Sequence, residues 1–355
     1  MMLISGRIPV RGAARAAALA AFFAIGAAGC ASLSLKGVTS AMAPDQPKSG
    51  PGGSDYRHAD ITVDSGGTGV NAWYVFQPTR PRPASAPLVV MMHGYAEYEG
   101  HEMHEEFVRH TVRKGNVVIY PRWQTGPFTP CAAGRQIEEC MTSALRGLKG
   151  GLAWLQSRPS SRVQPDLARA AYFGYSFGAI ITTNLANRYT TLGLPEPRAI
   201  FLDDPHDGGM GGAPEAAVDA SLAGIPATVK FVCHSSAEGM IATRGKEGSS
   251  CNAIFPRLGH IPERNKDLVM LYPDNHGSPR MRAQHGVCTS SPLPKDAYDY
   301  YFCWKQFDAL RSAAFDGTDE QYALGDTPEH RFNGVWSDGV PVRELKIQKA
   351  APIVP

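Results

Sequence analysis

Between residues 59 and 275, short apolar runs alternate with longer segments in which apolar positions recur every three or four residues. "ADITV" and "NAWYVFQP" predict an opening antiparallel pair. "APLVVMMHG" is a continuous apolar run ending at Gly94, the pattern of a strand buried on both faces. "HEMHEEFVRHTVRKG" predicts a helix closed by Gly115, and "NVVIYPRW" the next strand. "IEECMTSALRGLKGGLAWLQSRP" predicts a long helix, weakened at Gly150 and Gly151 and stopped before Pro159. "RAAYFGYS" with its following helix, "PRAIFLDDP", "ATVKFVCHS" and "DLVMLYPDN" continue the alternation. "LPKDAYDYYFCWKQFDALRSAAF" predicts a last helix whose aromatic face packs on the sheet. Strand and helix in alternation predict an α/β fold, a mostly parallel central sheet with helices on both faces. No long insertion separates the strands near 200 and 230, so little or no cap domain is expected. In such sheets function gathers at the carboxyl ends of the strands.

The pattern changes at the N-terminus. Arg7, Arg11 and Arg15 precede "AAALAAFFAIGAAGC", an apolar run too short to span a membrane, and residues 1–30 read as an export signal. "AAGC" resembles a bacterial lipobox, with Ala27 where leucine is commoner. The resemblance implies lipidation of Cys30 and a protein anchored in the cell envelope. The alternative is a cysteine beside an ordinary signal-peptidase site, and a secreted protein. Residues 31–55, rich in Pro, Gly and Ser, read as a flexible linker. The folded domain is expected over 56–355, and there is no internal repeat.

Composition narrows the classes. The chain has 355 residues, 43% of them apolar, and a formal net charge of +2, so it can bury a large core and has no basic footprint for nucleic acid. After Cys30 an even number of cysteines remains: Cys131, Cys140, Cys233, Cys251, Cys288 and Cys303. In an exported chain these predict disulfides, free buried thiols being the alternative. Their order suggests three local bridges, 131–140, 233–251 and 288–303, each worth ~3 kcal/mol in the chain-entropy account.

Candidate chemistry centres on "GYSFG". A lone G-x-S-x-G arises readily by chance in a chain with 37 glycines. Here a strand precedes it and a helix follows, so Ser176 sits on a cramped turn with its hydroxyl above the sheet. The helix N-terminus beneath favours developing negative charge. With His93-Gly94-Tyr95, Gly174-Tyr175-Ser176-Phe177-Gly178 and His276-Gly277 in this order, residues 56 to 345 resemble the α/β-hydrolase superfamily, nearest its secreted esterases and lipases and its dienelactone-hydrolase-like enzymes. The resemblance implies a nucleophile at Ser176 and a base at His276 after the last strand, His260 and His285 being the rival histidines. It implies an acid at Glu238, or at Asp203 or Asp204 on the preceding strand. It also implies oxyanion donors in the Tyr95 and Phe177 amides, with His93 structural. A 233–251 bridge would close the loop carrying Glu238. A 288–303 bridge would tie the segment after His276 to the last helix.

Two other patterns point elsewhere. His101-Glu102-Met103-His104 is one residue short of the zinc-protease spacing and reads as a solvated helix face rather than a metal site. "DDPHDGGMGG", residues 203–212, lacks the P-loop lysine and reads as a flexible loop over the site. The expected function is a serine carboxylic-ester hydrolase working through an acyl-enzyme, with no metal or organic cofactor. Its partners would be a small or polymeric ester and, through Cys30, a membrane. A lipase, thioesterase, lactone hydrolase or peptidase on the same fold is the alternative among enzymes, and a non-catalytic envelope lipoprotein the alternative outside them.

Overall fold

The computed structural model describes residues 40–132, 137–206, 218–239, 249–289 and 295–355. The signal segment, Cys30 and the first part of the expected linker therefore lie outside the described residues. Among the described residues nine strands form one sheet: β1 Asp60–Gly66, β2 Ala72–Thr79, β3 Ser85–Met92, β4 Val117–Arg122, β5 Gln164–Tyr175, β6 Pro197–Asp203, β7 Lys230–Ser236, β8 Lys266–Leu271 and β9 Lys346–Gln348. Their order is β1-β2-β4-β3-β5-β6-β7-β8-β9. From β4 across to β8 neighbouring strands run parallel, while β1, β2 and β9 pair antiparallel.

The continuous apolar run of β3 follows from this position. Successive side chains point to opposite faces. Leu88, Val90 and Met92 enter the core on one face, and Val89 and Met91 the core on the other. The first core is covered by α2 (Ile137–Gln156) and α3 (Phe177–Asn187), through Met141, Leu148, Ile180 and Leu185. The second is covered by α1 (Glu105–Arg113) and the last long helix, Lys305–Phe315, through Phe107, Val112, Phe307 and Leu310. The helix α2 runs unbroken through Gly150 and Gly151, which lie against Trp73 and Ile119.

Three elements differ from the sequence pattern. The last helix is not uniform: Asp299–Trp304 is a π-helical stretch that passes into the α-helix at Lys305. The edge strand β9 has only three residues, too few for a period to register. The compact unit begins at Ser40, so residues 40–55 belong to the body rather than to a free tether. The Ser278 amide donates to the Ala41 carbonyl at 3.1 Å, and the Met42 amide to Ser337 Oγ at 2.9 Å. The Gly52 amide donates to the buried Asp308 carboxylate at 3.0 Å. A segment of small residues can lie flat on a surface as readily as it can swing free, and its backbone donors decide which.

All three local disulfides are formed, Cys131–Cys140, Cys233–Cys251 and Cys288–Cys303, with Cα separations of 5.6–5.7 Å. Bonds of this kind persist in oxidising compartments.

Candidate active site

Ser176 is the one residue between β5 and α3. Its backbone lies at φ 55°, ψ −124°, a region costly for a residue with a side chain, by about 1–3 kcal/mol. The surroundings hold it there. The Ser176 amide donates to the Asp203 carbonyl at 2.9 Å, and the Ala179 amide donates to the Ser176 carbonyl at 3.0 Å. Gly178 is obligatory at its position, because a Cβ there would lie 2.1 Å from the His93 carbonyl oxygen at the end of β3.

The Ser176 hydroxyl meets an imidazole, and it is His285. Ser176 Oγ lies 2.9 Å from His285 Nε2, and His285 Nδ1 lies 2.6 Å from Asp204 Oδ2. With Nδ1–H donating to the carboxylate, Nε2 is left to accept the serine proton. Asp204 follows β6 directly, at φ 44°, with its amide donating to the His234 carbonyl at 2.9 Å. Its carboxylate is fully buried, and Gly239 lies so close that a Cβ there would come within 2.5 Å of Oδ2. Ser176 is 5% exposed and the His285 side chain 19%, so the relay is sheltered but open at its histidine end. The Tyr175 ring packs on the His285 ring at 4.9 Å between centroids.

The expected base and acid sit elsewhere. His276 Nε2 lies 2.7 Å from Asp338 Oδ2 in an exposed pair on the surface. The chain after β8 does not turn inward at His276. It folds back through a bridge between Asp274 and Met281 and delivers its histidine nine positions later. Glu238 is spent on that delivery. Its amide donates to the Ala283 carbonyl at 2.7 Å, its carboxylate accepts the Ala283 amide at 3.1 Å, and Arg280 donates to the same carboxylate. Glu238 therefore clamps the strand of chain leading to His285 instead of orienting an imidazole. His260 donates to or accepts from nothing at the site, its Nε2 lying 2.8 Å from the Ile225 carbonyl. Of the aspartate pair, Asp204 faces His285. Asp203 faces a second buried histidine, with Oδ1 2.6 Å from His234 Nδ1, and His234 Nε2 lies 3.2 Å from Ser236 Oγ. His234 and Ser236 carry no local motif that marks them in the sequence. His285, a rival to His276 on pattern alone, carries the same dipeptide in His285-Gly286 as His276-Gly277.

Tyr95 and Phe177 come together, their rings 5.8 Å apart. Phe177 opens α3, where backbone N–H groups have no partner within the helix. His93 is fully buried and stacked on Trp123 at 4.7 Å, and burial pushes its imidazole down to about 3. Behind this loop sits Glu97. Burial pushes its carboxyl up to about 8; the Gly94 backbone opposes the shift and the charge of Asp203 adds to it.

His101 and His104 do not form a solvated face. His104 is fully buried against Tyr120, 2.9 Å from its hydroxyl, with Glu97 3.6 Å away, because the segment 101–104 is a 3₁₀ turn that rotates it inward. Among the described residues no group of three or more His, Cys, Asp or Glu side chains could hold a metal ion. Of the loop over 203–212 only Asp203–His206 are described, with the His206 ring 5.8 Å from that of His285.

The disulfides bear on the site as placed. Cys288 is three residues past His285 and is bonded to the π-helical stretch, while Cys233 in β7 neighbours His234. Ser176, Asp204, Tyr95 and Glu238 each follow the carboxyl end of a strand, and His285 lies beyond β8, on the edge where open α/β sheets place their chemistry. The assembled groups can take a proton from a hydroxyl and hold the resulting imidazolium against a buried carboxylate. No protein-family model matches this chain, and no curated protein matches it.

Proposed function

We propose that the protein is a serine hydrolase of carboxylic esters, with Ser176 as nucleophile, His285 as base and Asp204 as the acid that orients it. One observation carries this reading: the unbroken Ser176–His285–Asp204 relay, at 2.9 and 2.6 Å. The strained turn at Ser176 and the helix N-terminus beneath it support it further. So does the resemblance of the motifs to the α/β-hydrolase superfamily.

The chemistry follows from the parts. Ser176 Oγ attacks the acyl carbon as His285 Nε2 takes its proton. Asp204 holds Nδ1–H in place and stabilises the imidazolium. The Tyr95 and Phe177 amides hold the tetrahedral oxyanion, an arrangement in which one donor is typically worth ~10²–10³ in rate. His285 returns the proton to the leaving alkoxide. Water then repeats the sequence on the acyl-enzyme and frees Ser176. We also infer export, which three disulfides support, and anchoring through Cys30, which rests on the lipobox resemblance alone.

A fluorophosphonate probe tests the activity. It should label the wild type at the peptide containing Ser176, and Ser176→Ala should abolish both labelling and hydrolysis of 4-nitrophenyl acetate. A folded wild type that takes no label overturns the reading and leaves the non-catalytic lipoprotein.

A further inference from the structure

The loop between β4 and α2 is built against the site without joining the relay. Trp123 is fully buried, its ring stacked on His93 at 4.7 Å and on Phe177 at 5.3 Å, and its Nε1–H donates to the His93 carbonyl at 3.1 Å. The next residue, Gln124, accepts the Ala96 amide on Oε1 at 2.8 Å. Residues 125–129 then close a tight turn, with Thr125 N donating to Thr129 O at 3.1 Å and Thr129 N to Gly126 O at 3.2 Å. The Tyr95 hydroxyl donates to the Pro127 carbonyl, and Cys131–Cys140 fastens the far end to α2. On this turn Phe128 is 78% exposed, more than any other large apolar side chain among the described residues.

A single exposed apolar residue is ordinary on a protein surface. Phe128 differs in what holds it. The contacts of Trp123, Gln124 and Pro127 described above fall on residues 93–96 and on Phe177, beside Ser176. Tyr95 joins the two places physically, its ring against Phe177 and its hydroxyl on Pro127. A ring held in position before binding gives up little conformational freedom when it is covered.

We propose that Phe128 is a substrate-binding residue that packs on the apolar arm of the ester and so selects esters with long or bulky apolar arms over acetates. This rests on the serine-hydrolase reading above. Tyr95, half-buried, spans from the buried ring of Phe177 beside Ser176 to the backbone of Pro127 beside Phe128, and so ties the turn that carries Phe128 to the mouth of the site. An acetyl group is too short to follow it outward, whereas an eight-carbon arm extends about 10 Å at ordinary chain spacing.

The test compares kcat/KM for 4-nitrophenyl octanoate and 4-nitrophenyl acetate in the wild type, Phe128→Ser, Phe128→Trp and Val63→Ser. Val63 is a half-exposed apolar residue on the edge strand β1 and serves as the surface control. Covering one face of a phenyl ring predicts an octanoate-to-acetate ratio that falls about tenfold in Phe128→Ser. The fall should come through KM, the ratio should be restored in Phe128→Trp, and Val63→Ser should not move it. Labelling of Phe128→Ser by the small fluorophosphonate reports that its site is assembled. A ratio unchanged in Phe128→Ser overturns the proposal while leaving the hydrolase reading standing. Failure of the wild type to label overturns both. If Phe128→Ser instead loses binding to phosphatidylethanolamine–phosphatidylglycerol vesicles with its ratio intact, the residue is a lipid contact and the proposal is wrong.

Discussion

Two serine–histidine–aspartate chains lie side by side at the ends of β6 and β7. In one, Asp204 holds His285 at 2.6 Å and His285 meets Ser176 at 2.9 Å. In the other, Asp203 holds His234 at 2.6 Å and His234 meets Ser236 at 3.2 Å. The residue types and the sequence of contacts are the same. The setting is not. His234 and Ser236 lie wholly inside β7 and have no exposed surface, whereas the His285 side chain keeps 19% of its own. Ser176 stands on a strained turn outside any strand, whereas Ser236 is an ordinary strand residue. The pair teaches that the same three residue types within bonding distance can sit in opposite settings. The outer chain has access and a hydroxyl lifted clear of its backbone, which the proposed chemistry needs, and the inner chain has neither. Its evident work is structural: the Asp203 carbonyl holds the Ser176 amide and the His234 carbonyl holds the Asp204 amide.

The largest expected contrast is between the two serines. Ser176→Ala should lower kcat for 4-nitrophenyl acetate by about 10⁴ or more, as nucleophile removal does in serine hydrolases. Ser236→Ala should stay within about threefold. Equal losses in steady-state assays would erase the distinction. The acids come next. Asp204→Asn should cut kcat by about 10³–10⁴ through the wrong imidazole tautomer. Glu238→Gln should cost less than about tenfold, since the amide still holds Ala283. The reverse order would return Glu238 to the relay.

The histidines should separate in rate. His285→Ala removes the proposed base and should lower kcat by about 10⁴ or more, a loss His234→Ala should not approach. Each substitution removes the partner of a buried aspartate, so each should cost about 3–5 kcal/mol in urea unfolding.

The smallest contrast is one of pH. Glu97 lies behind the His93–Tyr95 loop and faces His104, Tyr120, Tyr175 and the charge of Asp203 from the inner chain. Its folded pKa is raised to about 8 from 4.5. The unfolded chain releases this proton near 4.5 while the folded chain keeps it, so stability is full at low pH and declines as pH climbs towards 8. Glu97→Gln keeps the neutral form at every pH. It should flatten this decline by about 3–4 kcal/mol between pH 5 and 8. Parallel stability curves for the two proteins would show that Glu97 is ionised throughout.

What the sequence made legible is what local pattern encodes. The β3 run and the strand–turn–helix around Ser176 are continuous stretches, and each reads correctly from its own residues. The partner of Ser176 does not. His276-Gly277 and His285-Gly286 are equivalent as text. The choice between them is made by the local Asp274–Met281 bridge and by the Glu238 clamp on Ala283, a contact across 45 positions that no local pattern announces. The aspartates are harder still, because Asp203 and Asp204 are adjacent and only the backbone turn at φ 44° sends them to different histidines. Residues 40–55 misled by composition. Small residues signal freedom, but single amides such as that of Gly52 find acceptors some 250 positions away. His104 misled in the opposite way, since a histidine among glutamates looks solvated until a 3₁₀ turn faces it to Tyr120.

The adjacency of Asp203 and Asp204 carries a cost in evolvability. A strand's facing alternates residue by residue, so removing one position between Pro197 and Asp203 would put Asp204 in the place of Asp203 and Pro205 in the place of Asp204. The outer histidine would lose its carboxylate partner in a single event. The number of residues from Pro197 to Asp204 therefore matters to both pairs as much as the identity of the aspartates themselves.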